Sequence, residues 1–214
     1  MPWNLDPRVR SAMISDSLDL LGVRNNAMDV RVSALRPGMR AVGLAATVKF
    51  VADSEYDQSD PYGAGIDFLD SLNVGEVVVI ATGGDCLSAF WGELFSAAAL
   101  GRGATGVVAD GPLRDTEQIV SLDFPAFGHG SRPYDYKGRM RIEAIRIPVI
   151  CAGVEVHPGD GVIADSDGIV VVPAAHLEKV SELAHARAAT EKSVLKDLLS
   201  GKSVREVWKA HGVL

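Results

Sequence analysis

An arginine stands beside an aspartate in segment 110–115 (DGPLRD), directly after the apolar run 106–109 (GVVA). Such a run is typical of a buried strand, and α/β proteins bind ligands where their parallel strands end. The Arg114 guanidinium suits a carboxylate or an enolate oxygen, and Asp115 offers a hard oxygen to a divalent cation. The pair indicates metal-assisted chemistry on an oxo acid. Alternatively, Asp115 caps a helix, with Gln118 completing a capping box. The six residues alone leave both interpretations open.

A second candidate segment is 92–95 (GELF), where the pattern predicts the start of a helix. The first backbone amides of a helix have no intrahelical acceptor, and together with the helix dipole they attract anions. A substrate carboxylate fits such a site. Glu93 is unfavourable there unless it faces a cation; alternatively it is a surface glutamate that interacts well with the helix dipole.

Apolar periodicity predicts the elements that must position these residues. Strands are predicted over residues 39–51, 77–81, 106–109, 147–151 and 169–172, and helices over 7–21, 92–100 and 174–199. Ser203 and Glu206 form a capping-box pattern before a last short helix. Residues 158–161 and 165–168 are predicted turns. The weak pattern of residues 124–146 predicts a long excursion over the surface or across a neighbouring subunit.

Composition limits the class of protein. The 214 residues are 47% hydrophobic, enough for one domain over residues 1–214, and the chain shows no internal repeat or linker. A formal net charge of −7 argues against a nucleic-acid surface, so an anionic substrate would need a local cation such as Arg114.

Cys86 and Cys151 have neither zinc-site nor disulfide-framework spacing, which favours free thiols in a reducing compartment. No apolar run approaches the roughly 18 residues of a membrane span. We therefore expect a cytoplasmic protein with no nucleic-acid or membrane partner.

Several glycines and charged residues together resemble the signature of the 4-hydroxy-4-methyl-2-oxoglutarate aldolase and RraA-like family. Weaker similarity extends over residues 15–19, 159–173 and 211–214. The positions that carry the resemblance, and whose spacing also matches, are Gly92-Glu93, Gly103, Gly106, Asp110-Gly111 and Arg114-Asp115.

The resemblance implies an α/β fold with three layers in the order β/β/α, similar to a swivelling domain, as a single domain with an N-terminal helix and C-terminal helices. It also implies homotrimers or homohexamers with sites at the subunit borders. By the same resemblance, Asp115 binds Mg²⁺ or Mn²⁺, and Arg114 contacts the oxo acid. Residues 92–95 (Gly92, Glu93, Leu94 and Phe95) bind substrate through their amides, and Glu93 orients metal-bound water.

The implied activity is that of a class II pyruvate aldolase, a carbon–carbon lyase that cleaves a 4-hydroxy-2-oxo acid such as 4-hydroxy-4-methyl-2-oxoglutarate. Cleavage leaves the enolate of pyruvate, which a divalent cation and Arg114 would stabilise without a Schiff-base lysine. Oxaloacetate decarboxylation passes through the same enolate and is expected as well. The alternative is a non-catalytic regulator of the RraA type that binds and inhibits a ribonuclease. A methyltransferase is disfavoured because no glycine-rich nucleoside loop follows a first strand.

Other polar residues have simpler interpretations. Asp85 follows a glycine pair and is typical of a turn or cap, and Asp165 and Asp167 lack the glutamate of a calcium loop. His129 is the one histidine placed where it could meet substrate from a neighbouring subunit.

Overall fold

The computed structural model describes residues 3–52 and 59–213. Within these ranges the helices are α1 (Ser11–Leu20), α2 (Gly63–Asp70), α3 (Glu93–Gly101), α4 (Thr116–Ser121), α5 (Leu177–Leu199) and α6 (Val204–His211). The strands are β1 (Ser33–Ala34), β2 (Ala41–Ala52), β3 (Glu76–Ala81), β4 (Gly106–Ala109), β5 (Ala126–Gly128), β6 (Met140–Ile145), β7 (Val149–Cys151), β8 (Val154–Val156), β9 (Gly161–Asp165) and β10 (Gly168–Val172).

The centre of the sheet is parallel, in the order β2, β3, β4, β5. All four residues of β4 are buried, and so are the last five of β3, which explains why these strands are continuous apolar runs. The long strand β2 pairs with β9 along its first part and with β6 along its second, both antiparallel. Because β3, β4 and β5 run in the same direction, their carboxyl ends meet at one edge of the sheet.

Helices cover one face of this sheet and a β-hairpin covers the other. Helices α2, α3 and α4 contribute Phe68, Ala99 and Ile119 to the core on one face. The hairpin of β7 and β8 packs Val149 and Val156 against the opposite face. A third cluster joins α1 and α5 to β9 and β10. The layers therefore follow the expected order β/β/α.

Most predicted elements are present with shifted ends. The helix expected over 7–21 begins at Ser11, where the carboxylate of Asp165 accepts hydrogen bonds from both the backbone nitrogen and the hydroxyl of Ser11. The last helix has the predicted capping box of Ser203 and Glu206. The predicted turn at 165–168 connects β9 to β10.

Residues 124–146, for which a long excursion over the surface or across a neighbouring subunit was predicted, include two strands of the sheet. This segment contains β5, whose three residues are buried, and β6, which pairs with β2. The sequence of β6 (MRIEAI) alternates apolar and charged residues over its first four positions, which is a pattern typical of a strand.

Among the described residues, no helix is long and apolar enough to cross a membrane. Both cysteines are free thiols: Cys151 is buried, whereas Cys86 is partly exposed.

Candidate functional site

The loops after β3 and β4 are joined at the carboxyl edge of the sheet. The buried carboxylate of Asp110 accepts a 2.6 Å hydrogen bond from the backbone nitrogen of Thr82. Backbone hydrogen bonds then run from Phe90 to the carbonyl of Pro112 and from Arg114 to the carbonyl of Trp91. The start of α3 and the segment after β4 are therefore held side by side.

Asp115 lies at the N-cap position of α4, but its side chain does not cap that helix. Its backbone is left-handed, with φ of 53°, and its carboxylate makes no capping hydrogen bond to α4. Instead Oδ2 accepts a 3.3 Å hydrogen bond from the backbone nitrogen of Glu93, the first residue of α3. Asp115 Oδ2 also lies 3.7 Å from Arg114 Nε. The predicted capping box with Gln118 is not formed, so that alternative was wrong for α4.

Gly92 allows this arrangement by having no side chain. A Cβ atom at Gly92 would lie 2.6 Å from Asp115 Oδ2 and 3.1 Å from Arg114 Cγ. The backbone of Gly92 is extended, so glycine is required here for space and not for a special conformation. The close approach of Gly92 brings the start of α3 against the Arg114–Asp115 pair.

Arg114 has a second carboxylate partner that the sequence analysis did not identify. Its Nη1 lies 3.1 Å from Oδ2 of Asp135, which also accepts a hydrogen bond from the hydroxyl of Tyr62. Neither residue had a local sequence signal. Asp135 lies in the segment for which an excursion was predicted, and Tyr62 immediately precedes α2.

These groups surround a cavity of about 240 Å³. Its polar lining comes from Arg114, Asp115 and Asp135, and the rest is largely apolar and aromatic. The remaining lining residues are Tyr62, Ile66, Ala89, Phe90, Trp91, Gly92, Leu94, Phe95 and Tyr136. The side chains of Arg114 and Asp115 remain 37% and 42% exposed, so a ligand can reach them.

Burial and negative charge perturb both tyrosines of the cavity. Burial, followed by the hydrogen bond to Asp135, raises the pKa of Tyr62. Burial also raises the pKa of Tyr136 well above its ordinary range, with a further contribution from the charge of Asp135. The buried hydroxyl of Tyr136 has no hydrogen-bond partner among the described residues. Both tyrosine hydroxyls are therefore neutral near neutral pH.

The structure brings together most of the predicted site residues. Gly92, Leu94, Phe95, Arg114 and Asp115 line the cavity. The Glu93 side chain is not part of the lining, although its backbone nitrogen contacts Asp115. As the second and third residues of α3, Leu94 and Phe95 have backbone amides without an intrahelical acceptor. Glu93 thus remains close to the cavity but outside its wall.

Asp85 and His129, which the sequence did not assign to the site, are not among the residues that line this cavity. Asp85 accepts hydrogen bonds from the backbone nitrogens of Leu87 and Ser88, which is the predicted turn interaction. His129 Nδ1 lies 3.5 Å from Cys86 Sγ and lines a different cavity of about 370 Å³.

Larger cavities exist, including one of about 730 Å³ near the ends of β2 and β3 and one of about 500 Å³ between α1 and the turn at 165–168. We place the site at the smaller cavity because, among the described residues, it is the one whose lining combines an arginine, two carboxylates and a helix start.

The donor set fits a water-rich divalent cation. The described residues contain no group of three or more His, Cys, Asp or Glu side chains arranged to hold a metal ion. Mg²⁺, however, keeps several waters and commonly takes only one or two carboxylates from a protein. Asp115, partly exposed and at the cavity wall, is suited to such a site.

Fold and site together define an α/β protein whose cavity, with charged groups set in a largely apolar lining, lies at the carboxyl edge of its parallel strands, where α/β proteins bind ligands. The model of the RraA-like family (Aldolase/RraA) matches residues 11–171. The chain belongs to the RraA-like family.

Curated relatives and solved structures agree with this assignment. A Halalkalibacterium halodurans protein named "Putative 4-hydroxy-4-methyl-2-oxoglutarate aldolase" is 30% identical over 86% of this chain and 82% of its own length. Protein DlpA of Legionella pneumophila is 28% identical over 92% of this chain, which spans only 31% of DlpA. The crystal structure of Streptomyces coelicolor RraAS2, described as an unusual member of the RNase ES inhibitor RraA protein family, superposes with a TM-score of 0.78. It is 28% identical, and the match covers 88% of this chain and 97% of RraAS2.

Proposed function

We propose that this protein is a carbon–carbon lyase that cleaves a 4-hydroxy-2-oxo acid, such as 4-hydroxy-4-methyl-2-oxoglutarate, to pyruvate. The observation that carries the proposal is the convergence of Arg114, Asp115 and the start of α3 on one cavity. The relative in H. halodurans bears an aldolase name, which supports the same reaction class.

Binding of the oxo acid uses the positive groups of the cavity. The C1 carboxylate docks against the free amides of Leu94 and Phe95, and the Arg114 guanidinium contacts the oxo-acid end. The methyl group at C4 then faces the apolar side of the cavity, formed in part by Ile66 and Phe95. This placement separates the oxo-acid end of the substrate from the methyl group at C4.

Cleavage breaks the C3–C4 bond. The C4 hydroxyl loses its proton and becomes a carbonyl, while the bonding electrons of C3–C4 move to the C2 oxygen and give the enolate of pyruvate. Arg114 stabilises this oxygen more strongly as its negative charge grows, which lowers the barrier. The proton that left the C4 hydroxyl returns to C3 through a water molecule and completes pyruvate, and the new C4 carbonyl compound leaves as the second product. We assign to Glu93 the orientation of the water that receives the C4 proton, because it is the acidic side chain in the first turn of α3.

Asp115 is the residue that would hold Mg²⁺ or Mn²⁺ at this site. When bound, the cation supplies Lewis-acid stabilisation of the enolate oxygen. The same enolate forms when oxaloacetate loses CO₂, so we propose oxaloacetate decarboxylation as an accompanying activity.

We also propose a homotrimer or homohexamer with the site at a subunit border. Leu94 and Ile66 line the cavity and are 77% and 50% exposed, and such apolar exposure at a site supports cover by a neighbouring subunit. Sedimentation velocity should give three or six times the 22.7 kDa chain mass. A monomer would contradict the assembly.

A coupled assay for pyruvate tests the activity. The protein is supplied with Mg²⁺ and a panel of 4-hydroxy-2-oxo acids and oxaloacetate, with and without a chelator. We expect pyruvate release that the chelator abolishes and excess Mg²⁺ restores. No release from any compound would reject the lyase.

The second candidate is a non-catalytic regulator that binds a ribonuclease. The structural similarity to RraAS2, whose description names a ribonuclease inhibitor family, favours this alternative. It predicts that stoichiometric amounts of this protein inhibit RNA cleavage by RNase ES, and that Arg114→Lys leaves this inhibition unchanged. If the protein is a lyase, Arg114→Lys should instead strongly reduce pyruvate release.

A further inference from the structure

The Asp135 carboxylate is fixed by contacts from several directions. Oδ2 is shared between the Arg114 guanidinium and the Tyr62 hydroxyl, and Oδ1 accepts a 3.1 Å hydrogen bond from the backbone nitrogen of Lys137. The side chain is only 19% exposed. A carboxylate held in this way has little freedom to move, so the Arg114 side chain must adjust its conformation to the position of Asp135.

The segment that carries Asp135 is attached to the elements that carry the site. The backbone nitrogen of Ala89 donates to the carbonyl of Tyr134 at 2.7 Å. Leu113, next to Arg114 in the chain, donates to the carbonyl of Gly130 and accepts from the backbone nitrogen of Arg132. The position of Asp135 relative to the backbone of Arg114 is therefore set by main-chain hydrogen bonds to the segment before α3 and to the segment after β4.

Arg114 is the flexible member of this group. An arginine side chain has several rotatable bonds, and ordering it costs conformational entropy. Its Nε faces Asp115 at 3.7 Å and its Nη1 faces Asp135 at 3.1 Å, so the two carboxylates contact different edges of one planar group. Two such contacts define the plane of the guanidinium.

We propose that Asp135, itself held by Tyr62, is a positioning residue that orients the Arg114 guanidinium towards the substrate. This inference rests on the proposed function and adds to it a residue outside the signature that carried the family resemblance. Asp135 acts through Arg114 and does not touch the reacting atoms.

If Asp135 only balanced the charge of Arg114, its removal would change the affinity for an anionic ligand in the opposite direction, so the two roles can be distinguished. Removing a negative charge 3.1 Å from a guanidinium leaves the site more positive, and Coulomb's law then favours an anionic ligand. Loss of orientation instead weakens the binding of a planar carboxylate. The sign of the change in affinity therefore separates positioning from charge compensation.

The first measurement is calorimetric titration with oxalate in the presence of Mg²⁺, because oxalate has the planar oxygen arrangement of the pyruvate enolate. We expect Asp135→Asn to bind oxalate about tenfold more weakly than the wild type. Equal or tighter binding by this variant would overturn the proposal, as would a wild type that does not bind oxalate. The control Asp70→Asn removes the carboxylate partner of Arg102 on the surface and should bind as the wild type does.

Steady-state kinetics supplies a readout that a purely structural role would not move. For Asp135→Asn we expect kcat to fall about a hundredfold with a smaller change in KM, since a misplaced Arg114 stabilises the transition state poorly. Asp135→Glu should recover part of the loss. A normal kcat in Asp135→Asn would reject the role.

Tyr62→Phe keeps the proposal testable if Asp135→Asn does not fold. This variant retains both charges and removes only the hydroxyl that holds Asp135, so kcat should fall about two- to tenfold. A kcat equal to the wild-type value would contradict the role of Tyr62. If the wild type binds oxalate but releases no pyruvate, the lyase fails while the positioning role is still decided by the titrations.

Discussion

The carboxylate of Asp115 caps a helix to which it does not belong: it accepts a hydrogen bond from the first backbone nitrogen of α3, at Glu93, while its own backbone begins α4. This hydrogen bond joins the segment after β4 to the start of α3, the two segments that the sequence predicts to form the site. It also means that Asp115 combines a structural role with its proposed role as a metal ligand, and substitutions must separate the two.

Asp115→Asn separates these roles. Asparagine tolerates the left-handed backbone of this position and keeps an oxygen that can accept from Glu93, but it loses the charge that binds a cation. We expect a melting temperature close to that of the wild type and a loss of Mg²⁺-stimulated pyruvate release of about a hundredfold or more. Normal stimulation by Mg²⁺ in this variant would reduce Asp115 to a helix cap.

Arg114→Lys tests the planar guanidinium. Lysine keeps the charge but cannot contact Asp115, Asp135 and a substrate carboxylate with one rigid fork. We expect kcat/KM for pyruvate release to fall about a hundredfold with the fold intact. The matched control Arg102→Lys changes a surface arginine paired with Asp70 and should leave kcat/KM unchanged. Near-wild-type turnover by Arg114→Lys would refute the assignment.

Gly92→Ala tests the close approach at the start of α3. The added methyl group would meet Asp115 Oδ2 at 2.6 Å, so the Arg114–Asp115 pair must move. A misplacement of about 1 Å at a reacting centre costs about a hundredfold in rate, and we expect kcat to fall by a similar factor. The control Gly101→Ala adds a methyl group with no neighbour within 4 Å and should keep full activity. Equal activity of the two variants would show that the spacing at Gly92 is unimportant.

Glu76 provides a stability prediction that is independent of catalysis. Burial raises the pKa of Glu76, but hydrogen bonds from Arg146 and from Asn73 outweigh burial and hold it below its ordinary value. A carboxyl whose folded pKa is lowered stabilises the protein above its unfolded pKa of about 4.3, and this stabilisation is lost as pH falls through the folded pKa. The melting-temperature difference between wild type and Glu76→Gln should therefore shrink from pH 7 to pH 3. A constant difference between pH 7 and pH 3 would contradict this linkage.

The sequence was most informative where structure depends on local pattern. The strands β3 and β4 were predictable because buried parallel strands are continuous apolar runs, and this placed Arg114 and Asp115 correctly at a strand end. The α6 capping box was likewise a local signal.

Long-range contacts were beyond the same reasoning. Asp135 reaches Arg114 because residues 130–134 pair with backbone groups of Ala89 and Leu113, and Tyr62 reaches Asp135 from the start of α2. Nothing in the residues around Asp135 indicates these partners. The sequence also did not indicate that the Asp115 side chain contacts α3 and not α4, because this orientation depends on the close approach of Gly92.

The cavity draws its charged groups and its apolar wall largely from different parts of the chain. Arg114 and Asp115 follow β4, whereas Ile66 belongs to α2 and Leu94 and Phe95 extend from α3. Selection can therefore alter the wall to accept a new tail on the ligand while the chemical end stays intact. A few substitutions in the apolar wall would then be enough to change the accepted substrate during evolution.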